Sequence, residues 1–385
     1  MNRILRIAAA AILAAIFASC SKNLLEDGVS LELAQHRDEV LSNLEYDLSF
    51  DIPESEEDSV SGCVTIDLDL ASSLEQLVID YKNGQIDSVV VEGESVVWNY
   101  RNEHIIIPSI YFSSGHNQVK IWFRNGDSSL NRRDGFVYTL SVPDRARTLF
   151  PCFDQPSLKA RYKLSLTIPE GWCAVSNSPV NPVACRTLSN ENRKRSIISF
   201  HQSEPLSTYL FAFVAGRFTR EEMTQGKNTI GLYHRETDPY KKSQCRKILS
   251  TVHECIKWME DYTGINYPFA KYDLIILPGF QFGGMEHTGA TLYNDTRMFL
   301  NKNAGVQEEM SRFSLIAHET AHMWFGDLVT MKWFDDVWTK EIFANYFAAQ
   351  MTSEKFPEVD RSLNFASYIR SAFEEDRTDG ATPIK

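Results

Sequence analysis

His318-Glu319-Thr320-Ala321-His322, with Glu341 following after eighteen intervening residues, decides how this chain reads. On an α-helix, positions 318 and 322 lie one turn apart and project to the same side. Two neutral imidazoles so placed can grip one Zn²⁺, and an open zinc site takes three protein ligands and a water. Glu319 lies between them, where a base for that water belongs. The eighteen residues allow a turn and an antiparallel return, so Glu341 can supply the third ligand. Ser311-Arg312-Phe313-Ser314-Leu315-Ile316-Ala317 leads in with apolar residues at helical spacing, and Gly326 in Trp324-Phe325-Gly326-Asp327 is a natural stop. The spacing predicts a second helix from Asp335 to Gln350. Its stripe of Val337, Trp338, Ile342, Phe343, Tyr346 and Phe347 is expected to face a core.

Upstream of the motif the pattern changes. From Leu44 to Phe218 period-two runs dominate: Tyr46 to Ile52, Val64 to Leu70, Gln118 to Phe123. Lys82-Asn83-Gly84, Arg124-Asn125-Gly126-Asp127 and Pro169-Glu170-Gly171 punctuate them as turns. Many short strands without long amphipathic helices predict an antiparallel sandwich or saddle. After residue 220 the chain alternates helix and strand. Pro239 to Thr263 reads as a helix carrying Ile248, Val252, Cys255, Ile256 and Met259. Tyr272 to Pro278 reads as a buried strand, Thr291 to Tyr293 as another, and Asp360 to Glu375 as a third late helix. The fold class expected is α+β and multidomain: residues 44–220 form a β-rich domain and 221–385 a thermolysin-like zinc domain.

The first residues read as an address. Arg3 and Arg6 precede an apolar stretch, Ile7 to Ala18, too short for a stable membrane span. Phe17-Ala18-Ser19-Cys20 resembles a bacterial lipoprotein signal, with residues 1–19 removed, Cys20 lipidated and 20–43 acting as a tether. An ordinary secretory signal cut near Ala18 or Ser19 is the other reading. Either way the protein is exported, and the lipid would anchor it to a membrane of the bacterial cell envelope. The formal charge of −12 becomes −14 once Arg3 and Arg6 are lost, which argues against nucleic acid as a partner. Cys63, Cys152, Cys173, Cys185, Cys245 and Cys255 show no metal-ligand spacing. Cys173 and Cys185 can close a small loop, but Cys245 and Cys255 lie about 15 Å apart along one helix. Buried free thiols are expected for most of the six.

Three separated motifs in order make the chain resemble the aminopeptidase N family of zinc metallopeptidases, the gluzincin group. The first is the zinc pattern with its exit, His322 to Thr330. The second is Gly283-Gly284-Met285-Glu286-His287, which matches four of five positions of a Gly-x-Met-Glu-Asn strand. The third is Phe150-Pro151-Cys152-Phe153-Asp154-Gln155-Pro156 with Lys159-Ala160, joined by Ser176-Asn177. The resemblance implies one Zn²⁺ per chain on His318, His322 and Glu341, and Glu319 as base. It also implies that Gly283, Gly284, Met285 and Glu286 bind peptides with a free N-terminus, Glu286 taking the α-ammonium. A fixed distance from that anchor to the metal would make the enzyme an exopeptidase. Asn345, Asp327 and Asp336 are candidates for orienting the ligands.

The chain also departs from the family. His287 stands where asparagine is usual, and Lys340 and Ile342 flank Glu341 where asparagine and glycine are common. Gln155 is a candidate second amine-binding group. The family's oxyanion tyrosine lies at a spacing that falls past Lys385, and neither Tyr293 nor Tyr346 is in its place. The chain therefore reads as an N-terminal portion without that tyrosine or the C-terminal helical domain. It is expected to bind zinc with little turnover, since losing an oxyanion donor costs about two to three orders of magnitude in rate. A lipid-tethered peptide-binding protein and a zinc hydrolase of another specificity are the competing readings.

Overall fold

The computed structural model describes residues 25–71, 75–125, 128–190, 193–226 and 228–359, together with Arg370 and Arg377. The β-rich half is built on an eight-stranded sheet around the strand Leu41–Asp51. Along that strand Leu44, Tyr46, Leu48 and Phe50 are buried on one face, as a period-two sequence requires. Ser61–Leu70 pairs with it antiparallel, but Arg161–Pro169 pairs with it parallel, in the register Tyr46↔Tyr162 and Leu48↔Leu164. The sheet is therefore mixed, not purely antiparallel. Period-two alternation fixes which face of a strand is buried, not the direction of its neighbour.

A four-stranded and a three-stranded sheet complete this half. Tyr46, Phe150, Tyr162 and Phe211 pack at its heart, with Tyr162 stacked on Phe211 at 4.9 Å and Phe150 edge-on to Tyr46 at 5.7 Å. Residues 31–43 correct the expectation of a tether reaching residue 43. Leu31–Val40 is a helix, α1, capped by the Ser30 side chain, which accepts from Leu33 N at 3.1 Å. Its Leu33, Ala34 and Arg37 are buried, and the strand begins directly at Leu41. Arg37 is drawn in because Asp80 offers it a bidentate carboxylate.

The boundary expected at residue 220 falls inside Thr219–Gln225, the outer strand of a five-stranded sheet. Its order continues Asn228–His234, Tyr272–Leu277, Thr291–Asn294, Gly284–Met285. Every residue of Tyr272–Leu277 is buried, as a central strand covered on both faces must be. Helix α2, Cys245–Thr263, lays Ile248, Leu249, Val252, Cys255, Ile256 and Met259 on the core and ends at Gly264 in the left-handed conformation. Helix α3, Val306–His322, and helix α4, Val337–Lys355, follow. Gly305 N donates to the Glu308 carboxylate at 2.7 Å and opens α3.

The expected apolar stripe on α4 is a second correction. Phe347 is buried, but Trp338, Ile342, Phe343 and Tyr346 are 40%, 55%, 47% and 49% exposed. The buried face of α4 is Lys340, Ala344, Phe347, Ala348, Met351 and Thr352. Small Ala344 and Ala348 let α4 lie close to α3, and the bulky residues turn outward. The late helix expected from Asp360 to Glu375 falls, apart from Arg370, outside the described residues, as do Cys20 and the whole leader. All six cysteines after Cys20 are free thiols, and Cys173 and Cys185 do not bridge. Among the described residues no helix is long and apolar enough to cross a membrane.

Candidate metal centre

Helix α3 presents His318 and His322 on one side, and α4 returns antiparallel to bring Glu341 against them. The two Nε2 atoms are 3.0 Å apart, and Glu341 Oε2 lies 3.4 Å and 3.5 Å from them. Bonds of about 2.0–2.1 Å from Zn²⁺ to tetrahedral ligands put those ligands about 3.3 Å from one another. The ring nitrogens are turned inward by what holds their far sides. His322 Nδ1 faces the Phe325 carbonyl at 3.2 Å, an oxygen that can only accept. His318 Nδ1 faces Asn345 Oδ1 at 3.1 Å. With the hydrogen on each Nδ1, as these acceptors favour, both Nε2 lone pairs are aimed at one point. Two lone pairs and a carboxylate converging there suit a divalent ion, so the residues present fit zinc.

Gly326 makes this possible. It sits at φ 143°, and a Cβ there would come within 3.1 Å of His322 Nδ1. Glu319, one residue after His318, is buried, and one of its oxygens lies within 4.8 Å of the ligand atoms of both histidines. Burial, with the carboxylates of Glu286 and Glu341 nearby, pushes its carboxyl up to about 8, against the pull of His318 and Lys340. Glu341 is held well below the usual carboxylate range: burial alone would raise it, but the two histidines and Lys340 outweigh that.

Gly284–Met285 is the edge strand of the five-stranded sheet, paired Gly284↔Tyr293 and Met285↔Leu292, so its far edge is unpaired. An extended peptide can add there as one more strand. Gly284 has a further reason to lack a side chain. A Cβ there would lie 2.2 Å from Glu319 Oε1, so the glycine makes room for the carboxylate itself. Met285 is buried in the core, so only its backbone can face a ligand. Glu286 is buried and has an oxygen within 4.8 Å of the His322 and Glu341 ligand atoms. Its carboxyl is held down to about 2: burial opposes this, but the Lys340 ammonium and His322 outweigh it.

Other expected residues are placed elsewhere. Asp327 is fully buried, but its carboxylate accepts from Thr288 Oγ1 at 2.9 Å instead of bracing a histidine. Asp336 stands just before α4 and accepts from Thr339 Oγ1 through its carbonyl. The Gln155 amide donates to the Ala34 carbonyl, Asp38 and Ser157, which ties it to α1. Tyr293 is buried with its hydroxyl 3.4 Å from that of Tyr272. Tyr346 is exposed beside Phe347.

Four neighbours of the site were given no role by sequence: Lys159, Asn177 and Lys340 were quoted only within their stretches, and Tyr209 was not noted. Lys159 Nζ donates to the carbonyls of Asp327 and Leu328 at 2.7 Å and 2.9 Å, pinning the exit of α3. Tyr209 donates to the Gly326 carbonyl at 3.2 Å. Asn177 Nδ2 donates to the Thr288 carbonyl at 2.9 Å, two residues after Glu286. Through these three the β-rich half holds the exit of α3 and the segment just after Glu286. Lys340, noted in sequence only as a change of local charge, is buried and pairs with both Glu286 and Glu341.

Comparison with known proteins agrees with this geometry. Residues 42–210 match the peptidase M1 N-terminal domain and residues 248–385 the peptidase family M1 domain. The chain is similar to a probable aminopeptidase 2 of Sulfurisphaera tokodaii, 32% identical over 74% of this chain and 36% of that protein. It is 28% identical to an aminopeptidase N of Streptomyces lividans over 92% of this chain and 42% of that one. A puromycin-sensitive aminopeptidase of Caenorhabditis elegans is 36% identical over 65% of this chain and 26% of that protein. A β-rich half followed by a helical metallopeptidase domain is the class of protein described. The chain belongs to the M1 family of peptidases. It spans 36% to 42% of the first two of these relatives.

Proposed function

We propose that this chain carries the active site of a zinc aminopeptidase that removes N-terminal residues from peptides. The observation that carries the reading is the convergence of His318 Nε2, His322 Nε2 and Glu341 Oε2 within 3.0–3.5 Å of one another, with both Nδ1 atoms facing acceptors. Those three residues would hold one Zn²⁺. The ion supplies Lewis acidity toward a scissile carbonyl and a water. Glu319 takes the water's proton and returns it to the leaving amine, a shuttle that its buried place beside both histidine ligand atoms suits. The free edge of Gly284–Met285 aligns the peptide backbone. On this reading Glu286, buried with an oxygen within 4.8 Å of the His322 and Glu341 ligand atoms, stands at the end of the peptide's path, so the bound end would be an N-terminus.

The expected result is about one zinc per chain, kept in E319Q and lost in H322A, with E319Q lowering turnover by about 10²–10⁴-fold. Zinc content is measured on these 385 residues. Turnover is measured on the longest in-frame gene product, with an amino-acid anilide and its N-acetylated form. No stoichiometric metal, or equal cleavage of both anilides, overturns the reading. We propose also that Cys20 carries a lipid holding the protein to an envelope membrane. This rests on the leader sequence alone. Fatty-acid labelling that C20A does not abolish would refute it.

A further inference from the structure

Glu286 is read as the end of the substrate's path, yet its Oε1 is already held by a cation of the chain itself. Lys340 Nζ bonds Glu286 Oε1 directly and Glu341 Oε1 at 2.8 Å. The ammonium lies over the Tyr209 ring, 5.5 Å from its centroid. Both side chains of the Lys340–Glu286 pair are buried, at 5% and 4% exposure. Lys340 therefore sits inside the cleft wall, in the position where an incoming α-ammonium would seek the same carboxylate. Moving the lysine aside would break a buried pair at both ends, which is strongly unfavourable. Leaving it in place sets a second cation against the first.

We propose that Lys340 is a specificity-determining residue: it holds Glu286 in an internal ion pair, so the end of the cleft measures the N-terminal residue by shape and hydrogen bonds and not by the charge of its amine. The inference rests on reading Glu286 as the end of the cleft. It separates two properties that a bare carboxylate would join. On this reading a capped N-terminus is still excluded, because the buried Glu286 side chain stands in its way. An uncapped ligand without an amine is tolerated, because no unpaired negative charge is left unmet.

The test compares leucine hydroxamate with 4-methylpentanehydroxamate, which differs only in lacking the α-amine. Both are titrated calorimetrically into the zinc-loaded 385-residue protein. The wild type is expected to bind them within about fivefold of each other. K340N, which uncovers the carboxylate, should raise the preference for the amine by about tenfold or more, and K340N/E286Q should remove it again. K340R keeps the charge and should keep the wild-type ratio. A wild-type preference above about fivefold overturns the proposal without any variant, and so does an unchanged ratio in zinc-loaded K340N. Failure of the wild-type chain to hold zinc overturns the metal reading and this inference with it. Strong amine preference in a zinc-loaded chain removes only the role given to Lys340.

Discussion

Two clusters of charge lie in this molecule, one in each half, and each joins a carboxylate to histidine and a basic side chain. In the β-rich half Asp80 meets Arg37, His104 and the Asp154 backbone. In the helical half Glu341 meets His318, His322 and Lys340. The difference is saturation. Asp80 Oδ1 accepts from Arg37 at 2.6 Å and His104 Nδ1 at 2.8 Å, and Oδ2 accepts from Arg37 and from Asp154 N at 2.8 Å each. His104 Nε2 reaches the Glu26 carbonyl at 3.1 Å. Both Asp80 oxygens are fully met by donors, although the buried Arg37 Nε has no hydrogen-bond partner among the described residues. At Glu341 two imidazole nitrogens face each other and an acid, and the Glu341 side chain is 43% exposed. Buried polarity that closes on itself holds a fold together, whereas polarity aimed at one shared point suits a ligand.

The sharpest way to break that contrast is to cut each cluster and read both fold and metal. D80N leaves Arg37 and His104 without their carboxylate. Breaking a buried pair in this way costs about 3–5 kcal/mol, so melting should fall by several degrees while any chain that folds still binds zinc. H322A should do the reverse. A D80N protein with an unchanged melting point and lost zinc would erase the distinction. Acid titration sharpens it. Burial would raise Asp80, but Arg37 and His104 outweigh that and hold it at about 2. The group is depressed from an unfolded value near 3.9, so its contribution is present above about pH 4 and lost as pH falls toward 2. It amounts to roughly 2–3 kcal/mol, and D80N should lack this acid-labile segment.

A smaller effect is expected from His287, which belongs to neither kind of cluster. It is fully buried, and neither ring nitrogen has a hydrogen-bond partner. Burial pushes the ring down to about 4, against the pull of Glu286. Its folded value lies below the unfolded one of about 6.5, so the unfolded chain binds the extra proton first. Stability from this group is complete above about pH 6.5 and declines as pH drops to 4, by up to roughly 3 kcal/mol. H287N should flatten that part of the stability curve in urea unfolding at stepped pH. An equally steep curve in H287N would place the titration elsewhere.

The zinc pair was legible because a helix places positions four apart on one face whatever surrounds it. Glu341 followed from its spacing once a second helix was granted. The strands of the β-rich half were legible because burial imposes period two. Helix α1 was not, since Leu31–Val40 is polar enough to pass for a tether and folds only because Asp80 and Gln155 receive it. The outward face of α4 was misread for the converse reason. Apolar side chains at helical spacing name a face, and only the packing of Ala344 and Ala348 decides which face goes inward. Lys340 was noted as a departure beside Glu341, but its partner was not legible. Its burial depends on Glu286, fifty-four positions earlier.

Asn345 offers the finest cut between a brace and a ligand. Its Oδ1 accepts from His318 Nδ1 at 3.1 Å, one helical turn beyond Glu341, and the residue itself is exposed. Removing it leaves the three ligand atoms and the buried core untouched, so the fold should not notice. What changes is the hold on one ring. With the acceptor gone, the proton on His318 can move to Nε2 and the ring can turn, and both set it against the metal. Loss of such a partner lowers metal affinity by about 10–100-fold. N345A should therefore show that loss in zinc competition against a chelator, with N345D restoring most of it because a carboxylate accepts from the same nitrogen. A melting point lowered in the zinc-free protein would instead assign Asn345 to the scaffold, and zinc affinity unchanged in N345A would mean that Phe325 at His322 orients the site by itself.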